Sequence, residues 1–301
     1  MASSHNSAQD KDGTYTIRIM TCDELAIAVE WAAAEGWNPG LYDVDCFYAA
    51  DPNGFLMGFL DNKPIASISA VRYGDTFGFL GFYIVRPEFR GRGYGIQIWR
   101  AGLDHLRGRN VGLDGVVEQQ ANYIKSSFQL AHRNIRYEGT RKLGKELPQT
   151  GKIVSDGVRV VPLSSVPTET ITRYDQHIFL SNRSAFLHCW LSSPHHTVIG
   201  LMHHHNLAGY GVLRPCQQGY KIGPLFADTH KFAEILFLTL MSRIDPDVPF
   251  YLDVPSVNTA AVDLAKKYHM NCVFETARMY TRKPPELPLN KIFGITTFEL
   301  G

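Results

Sequence analysis

The sequence has no excess of charge of one sign and no long apolar run. Lysine and arginine together number 30 and aspartate and glutamate 29, so the formal net charge is +1. Such a balance provides no broad electrostatic attraction to nucleic acid or to an anionic membrane. The longest apolar stretch, residues 232–241, is interrupted by Glu234 and is far shorter than the ~20 residues that span a bilayer. We therefore expect a soluble protein with no nucleic-acid and no membrane partner.

Cysteine is also scarce. The five cysteines are odd in number, scattered and free of any CxxC pair. This pattern argues against a disulfide framework and a zinc ribbon, and it predicts reduced thiols in a cytoplasmic protein. Histidines cluster at residues 195–196 and 203–205, but consecutive side chains in a turn point in different directions and no carboxylate or cysteine completes a ligand set. We predict no metal site.

The length of 301 residues is sufficient for two domains. Residues 1–13 are polar and lack the apolar centre of a signal peptide, so a disordered lead-in is predicted there. Residues 14–145 follow the order strand, helix, three strands, glycine-rich loop, helix, strand and helix, with the last helix at about residues 121–130. This order predicts a mixed α/β, or α+β, fold. A linker is predicted at residues 146–156, where proline and glycine interrupt the periodicity, and a second domain at 157–301.

The second half repeats the order of elements found in the first. Matching segments lie 141 or 142 positions apart before the glycine-rich loop and 139 positions apart after it. The second half has therefore lost three residues where the first half has its loop. A duplicated fold explains this most simply, and two unrelated α+β domains are the alternative. The matches are residues 17–20 with 158–161, residues 65–72 with 207–214, Gly81 with Gly223, and Asp114 with Asp253.

The glycine-rich loop lies between the apolar strand at residues 77–85 and a helix. Residues 90–95 contain three glycines at alternate positions and two arginines. Glycine permits positive φ and close approach of the backbone, so successive N–H groups can converge on a pyrophosphate. The helix that starts near Tyr94 adds the positive end of its dipole, and the arginines add donors suited to phosphate oxygens. The spacing is neither the dinucleotide fingerprint nor a Walker loop, and a flexible strand-to-helix turn is the alternative.

At this loop the sequence resembles the GCN5-related N-acetyltransferases, whose signature Q/R-x-x-G-x-G/A directly follows a strand ending in V-x-P. Here Val85-x-Pro87 precedes Arg90 to Gly95. The resemblance implies two tandem domains, each with a mixed, mostly antiparallel central sheet flanked by helices, the second being degenerate. It also implies acetyl-CoA as co-substrate, no metal, and a thioester held where two strands splay apart. The implied coenzyme contacts are backbone groups of Tyr83, Ile84 and Val85, together with Arg90, Gly91, Arg92, Gly93, Tyr94, Gly95 and Ile96.

Transfer from a thioester to an amine requires a base for the ammonium and an acid for the leaving thiolate. Members of the family commonly place a tyrosine four residues before a Gly-Phe pair, and Tyr123 has this spacing with Ser127 replacing the glycine. Tyr123 is therefore the predicted general acid, with a core tyrosine as the alternative. Asp114 and Glu118 are the candidate bases, because residues four apart on a strand share a face. A structural salt bridge or a water chain acting as base is the alternative for both.

The second half departs from the family pattern. It has no glycine-rich loop, and Ala265 occupies the tyrosine position while His269 replaces the glycine. We predict that this half binds no coenzyme A and instead completes the substrate pocket or a homodimer.

The favoured function is acetyl transfer from acetyl-CoA to a primary amine by direct attack in a ternary complex. Three alternatives remain: a longer acyl-CoA donor, a hydroxyl acceptor, and a non-catalytic protein that binds or senses coenzyme A. The near-zero net charge fits small-molecule amines and peptides equally well, so the acceptor stays open.

Overall fold

The computed structural model describes residues 13–141, 153–155, 157–179 and 181–301. The first half begins as the sequence predicts, with a strand followed by a helix that starts at a capping box. In this box Thr21 Oγ1 accepts the backbone N–H of Glu24 and the Glu24 carboxylate accepts that of Thr21. The elements are β1 (Tyr15–Ile19), α1 (Cys22–Ala34), α2 (Asp43–Ala50), β2 (Phe55–Leu60), β3 (Lys63–Tyr73), β4 (Phe77–Val85), α3 (Tyr94–His105), β5 (Asn110–Val116), α4 (Gln120–Lys125) and β6 (Gln129–Thr140).

The second half repeats this order of elements. The predicted lead-in and most of the predicted linker lie outside the described residues, although 153–155 form a short strand. The elements are β7 (Ile153–Ser155), β8 (Val158–Pro162), α5 (Thr168–Phe179), α6 (Ser184–Ser192), β9 (Thr197–His203), β10 (Asn206–Pro215), β11 (Tyr220–Ala227), α7 (His230–Met241), β12 (Pro249–Pro255), α8 (Thr259–Lys267), β13 (Asn271–Tyr280) and β14 (Ile292–Gly294).

The two halves share one continuous sheet because each inserts its last long strand beside the other. The strand order is β1-β2-β3-β4-β5-β13-β6-β12-β11-β10-β9-β8-β7, with β14 beside β11. Strand β13 of the second half thus lies between β5 and β6 of the first, and β6 pairs with β12 of the second. The pairs β4–β5 and β11–β12 are parallel, and the other described pairs are antiparallel. The predicted mixed, mostly antiparallel sheet is confirmed.

Two buried ion pairs join the exchanged strands. Arg278 on β13 donates to the two carboxylate oxygens of Asp114 on β5 at 2.8 and 2.5 Å. Arg136 on β6 donates to those of Asp253 on β12 at 2.7 and 2.8 Å. Each pair joins one residue of each half, and the two pairs are equivalent under the duplication. Removing one partner would leave a buried charge without compensation, so both pairs stabilise the exchange.

The predicted helix at residues 121–130 is wrong in its length. Helix α4 ends at Lys125, where Ser127 adopts a φ of 67° and the N–H of Phe128 donates to the carbonyl of Tyr123 at 3.1 Å. This is a Schellman end, with a serine at the position that usually holds glycine. Helix α8 ends in the same way at His269, whose φ is 55°. The residues that follow α4 form β6, which the sequence analysis did not predict.

The helices cover both faces of the sheet. Helix α3 packs Ile98 and Trp99 against Ile68 and Leu80 of the first half, and α7 and α8 pack on the equivalent face of the second half. A third cluster of buried apolar side chains lies where α1 and α2 meet α5 and α6. It includes Phe298 and other apolar residues of the C-terminus, so the end of the chain is part of the core between the halves.

Candidate active site

Strands β4 and β5 begin as a parallel pair and then separate. Their ladder ends at Leu80 and Leu113. Directly after it, β4 has a bulge against β3, in which Phe82 has a φ of 45° and its carbonyl accepts a hydrogen bond from Ser67 Oγ at 2.8 Å. A bulge bends a strand and ends its pairing, and a positive φ at an aromatic residue is a costly conformation that clusters at functional sites. Residues 81–85 therefore diverge from β5 and leave a space beside it.

A cavity of about 460 Å³ occupies this space. Its volume lies within the range of small-molecule sites. One end reaches the glycine-rich loop, and the other reaches side chains of the second half. The predicted site residues in its walls are Tyr83, Ile84, Val85, Arg90, Gly91, Gly95, Asp114 and Tyr123.

The glycine-rich loop presents open backbone amides. Gly91 and Gly93 have φ values of 77° and 83°, and a Cβ at either position would meet nothing within 4 Å. Helix α3 starts after Gly93 with no side chain capping its first amides. Among the described residues, the amides of Gly91, Gly93, Tyr94 and Gly95 bond to no acceptor outside their own helix. Loop and helix end thus form a group of free donors at the positive end of a dipole, the arrangement that binds phosphate oxygens.

The two loop arginines differ in their contacts. Arg90 donates through Nε to the carbonyl of Val85 at 2.7 Å and forms an ion pair with Glu35 of α1. It thereby fixes the end of β4 next to the cavity. The guanidinium of Arg92 lies over the ring of Tyr94, 5.5 Å from its centroid. That either arginine donates to a phosphate stays a prediction.

Tyr123 is held between α3 and β5. Its ring stacks on Trp99 with centroids 5.5 Å apart, and Trp99 Nε1 donates to Ser126 Oγ at 3.1 Å. Gly115 makes the space for this ring, because a Cβ there would lie 2.1 Å from Cε2 of Tyr123. Burial and the neighbouring Tyr83 raise the pKa of Tyr123, so its hydroxyl is protonated at neutral pH. Its role as general acid stays a prediction.

The two candidate bases lie in different surroundings. Asp114 of β5 is part of the cavity wall, but its side chain is fully buried: both of its oxygens accept from Arg278, and Oδ1 also accepts from Asn134 at 2.7 Å. Burial raises the pKa of Asp114, and the Arg278 charge opposes this effect. Glu118 does not lie on the strand as predicted, because β5 ends at Val116 and Glu118 is exposed on a short 3₁₀ turn. The predicted shared face is therefore wrong, and the identity of the base stays open.

Residues of the second half that the sequence analysis did not assign complete the cavity. They come from β13 and from the C-terminal tail, residues 292–301. The tail runs close to Gly81, where a Cβ would lie 2.2 Å from the carbonyl oxygen of Glu299. It also passes Gly223, where a Cβ would lie 2.6 Å from the carbonyl oxygen of Thr296. In the sequence, the match of Gly81 with Gly223 was the feature that could have indicated this close approach of the tail. The added wall residues are Phe274, Thr276, Phe298 and Glu299.

The equivalent strand separation in the second half is filled by the chain itself. Strands β11 and β12 pair in parallel as far as Ile222 and Leu252 and then separate. Strand β14 enters the gap, pairing with β11 at Leu225 and Phe226, and the N–H of Ile295 donates to the Asp253 carbonyl at 2.9 Å. The position that the pantetheine arm would need is therefore occupied by protein.

Within the described residues, no group of three or more histidine, cysteine, aspartate or glutamate side chains could hold a metal ion. In the same part of the chain, no helix is long and apolar enough to cross a membrane.

Comparison with protein families finds acetyltransferase (GNAT) matches in both halves. Residues 22–123 match the acetyltransferase (GNAT) family, and residues 171–294 match an acetyltransferase (GNAT) domain. Holothin acyltransferase of Pseudoalteromonas sp. (strain SANK 73390) is 31% identical over 288 residues, which cover 96% of this chain and 95% of that protein.

Two solved structures share the fold over nearly the whole chain. A Pyrococcus horikoshii protein classed as an acetyltransferase aligns with a TM-score of 0.77 at 23% identity and covers 100% of both chains. The tandem GNAT protein from the clavulanic acid biosynthesis pathway aligns with a TM-score of 0.63 at 11% identity, covering 91% of this chain and 100% of the other. At these identities the likeness shows the fold alone.

Proposed function

Because the chain belongs to the GNAT acetyltransferase family as a tandem acyltransferase, we propose that it transfers the acetyl group of acetyl-CoA to a primary amine. The observation that carries the proposal is the separation of β4 from β5 beside a loop in which the amides of Gly91, Gly93, Tyr94 and Gly95 bond to no outside acceptor among the described residues. These amides would bind the pyrophosphate. The backbone of residues 83–85 would contact the pantetheine arm and direct the thioester into the cavity.

The thioester supplies an activated acyl group, and the protein supplies position and proton transfer. The amine approaches from the end of the cavity formed by both halves and attacks the thioester carbonyl directly, so both substrates are bound together. Tyr123, whose hydroxyl is protonated at neutral pH, donates a proton to the leaving sulfur.

The acceptor is proposed to be a small-molecule amine. A peptide would be the alternative, but the relative that is similar over almost its whole length acts on holothin. By the same likeness a longer acyl donor is the second candidate, because that relative is described as an acyltransferase without restriction to acetyl. We also propose a cytoplasmic location, no nucleic-acid or membrane partner, and possible homodimer formation.

Titration of coenzyme A into the chain and into Gly93→Val tests the proposal. Valine at Gly93 must adopt a φ of 83° and places a side chain where the phosphate would lie. We expect the affinity for coenzyme A to fall at least about tenfold, because several backbone donors are displaced together. Thr229→Val, in the corresponding turn of the second half, is the matched control and should leave the affinity unchanged. Equal affinities of wild type and Gly93→Val, or no release of thiol from acetyl-CoA with any amine, would contradict the proposal.

A further inference from the structure

Glu299 places a buried carboxylate beside the cavity. The residue is 4% exposed, and its main chain is fixed because its carbonyl accepts from Ser69 Oγ at 3.3 Å. The next residue is held as well, since the Leu300 carbonyl accepts from Tyr73 Oη at 2.9 Å. The tail is therefore anchored on β3, and the position of Glu299 in the cavity wall is set by the fold.

In the part of the chain that the structure describes, the Glu299 carboxylate forms no hydrogen bond and no ion pair within 4.0 Å. Its oxygens are not among the fully buried polar atoms that lack a partner, so they reach accessible space. Arg136 and Lys221 interact with it electrostatically, but each is hydrogen-bonded elsewhere: Arg136 to Asp253, and Lys221 Nζ to the Trp37 carbonyl at 3.2 Å. The carboxylate therefore keeps acceptor positions that a ligand or water can fill.

The other charged residues in the cavity wall are already paired. Arg90 is paired with Glu35, and Asp114 is paired with Arg278. Glu299 is therefore the carboxylate of this wall that is available to a cation. The surrounding walls are aromatic, since Phe274 and Phe298 lie with ring centroids 6.0 Å apart. Trp37 and Phe82 also contribute to the walls.

We propose that Glu299 binds the ammonium group of the acceptor and takes its first proton. The proposal rests on the acyltransferase function given above and names the acceptor class. This acceptor is a compact primary amine with an aromatic or apolar body and without a carboxylate next to the amine, because a second anion would face Glu299. The second half thus supplies the catalytic base for a coenzyme bound by the first half.

The proton balance is complete with groups present in the site. One ammonium proton passes to Glu299, and the neutral nitrogen attacks the thioester carbonyl carbon. A C–N bond forms, the C–S bond breaks, and the electron pair of that bond stays on sulfur. Tyr123 gives its proton to the sulfur and regains one from the nitrogen, which becomes an amide. Glu299 then releases its proton to water.

Glu299→Gln keeps the shape of the side chain and removes its charge. With 2-phenylethylamine and acetyl-CoA, we expect kcat/KM for the amine to fall at least about 10²-fold, as loss of a general base does. The affinity for coenzyme A should stay within about twofold, which shows that the variant is folded. Glu286→Gln, an exposed carboxylate of the second half that pairs with Lys283, is the control. A folded Glu299→Gln variant with wild-type kcat/KM overturns the inference.

A measurement on the wild type does not depend on the stability of any variant. With coenzyme A bound, 2-phenylethylamine should bind at least about tenfold more tightly than 2-phenylethanol or phenylalanine, because only the amine offers a cation without a neighbouring anion. Equal affinities, or no binding of the amine, overturn the inference. Thiol release by the wild type separates the two proposals: if it is absent with every amine, the acyltransferase function fails, whereas preferential amine binding would still support the Glu299 subsite.

Discussion

The two halves of this chain differ in the connection from strand to helix and in how the first amides of that helix are satisfied. Between β4 and α3 the first half has an eight-residue connection, residues 86–93, that ends in a helix without a side-chain cap. Between β11 and α7 the second half has two residues, and Thr229 Oγ1 caps the helix by accepting the N–H of Phe232 at 3.3 Å. One helix end has no side-chain cap, and the other is capped by a side chain of the protein.

The same contrast holds at the strand separation. In the first half the space beside β4 is a cavity, and in the second half β14 fills it. The packing around Tyr123 also differs between the halves. In the first half Gly115 makes room for the ring of Tyr123. In the second half Val254 replaces the glycine and Ala265 replaces the tyrosine. The two halves thus share an architecture, while one of them fills the strand separation with its own chain.

The largest expected effect concerns the two equivalent ion pairs. Asp114→Asn and Asp253→Asn should each lower the free energy of unfolding by about 3–5 kcal/mol, because each leaves a buried arginine uncompensated. Chemical denaturation measures this, with the exposed Glu169→Gln as control.

The activities of Asp114→Asn and Asp253→Asn test whether the two ion pairs are equivalent. If Asp114 is purely structural, the two variants should lose stability equally and differ little in kcat under conditions where both are folded. A loss of kcat in Asp114→Asn alone, with coenzyme affinity intact, would show that the halves are not equivalent here and would restore Asp114 as the base.

A smaller effect is expected for substitution of Tyr123, the proposed general acid. Tyr123→Phe should lower kcat about 10- to 100-fold and leave the affinity for coenzyme A nearly unchanged, because the hydroxyl acts on the leaving sulfur and not in binding. Tyr268→Phe, directly after α8 of the second half, removes a hydroxyl that donates to Glu234 and should leave kcat unchanged. Steady-state kinetics decide the matter, and wild-type turnover by Tyr123→Phe would exclude Tyr123 as the acid.

The smallest effect is expected for Lys221, a buried lysine of the second half at the position equivalent to Phe79 of the first half. Burial lowers the pKa of Lys221 to about 8, whereas an unfolded lysine has a pKa of about 10.4. Between these values the unfolded chain binds more protons, so this group makes the free energy of unfolding rise as the pH rises. Lys221→Met should therefore be more stable than wild type at pH 7, on the order of 2 kcal/mol, with the gain disappearing towards pH 10.5.

Denaturation of both proteins at pH 7 and pH 10 measures this difference. The exposed Lys266→Met is the control and should show no such dependence on pH. A constant difference between Lys221→Met and wild type at both pH values would mean that Lys221 does not titrate in this window.

Local sequence signals predicted what depends on local structure. The strand that ends at Val85 and the glycines of residues 91–95 lie where the pattern placed them. The strand exchange was not predictable, because the pairing of β6 with β12 and of β13 with β5 depends on contacts more than 100 residues apart. Glu299 was missed for the same reason: its neighbours Ser69 and Gly81 are brought to it by the fold alone.

The measurement that tests the account most directly is a crystal structure of the chain with coenzyme A bound. We expect diphosphate oxygens at about 3 Å from the amides of residues 91–95, the pantetheine arm between β4 and β5, and β14 still between β11 and β12. A diphosphate bound away from this loop, or a second coenzyme in place of β14, would contradict it.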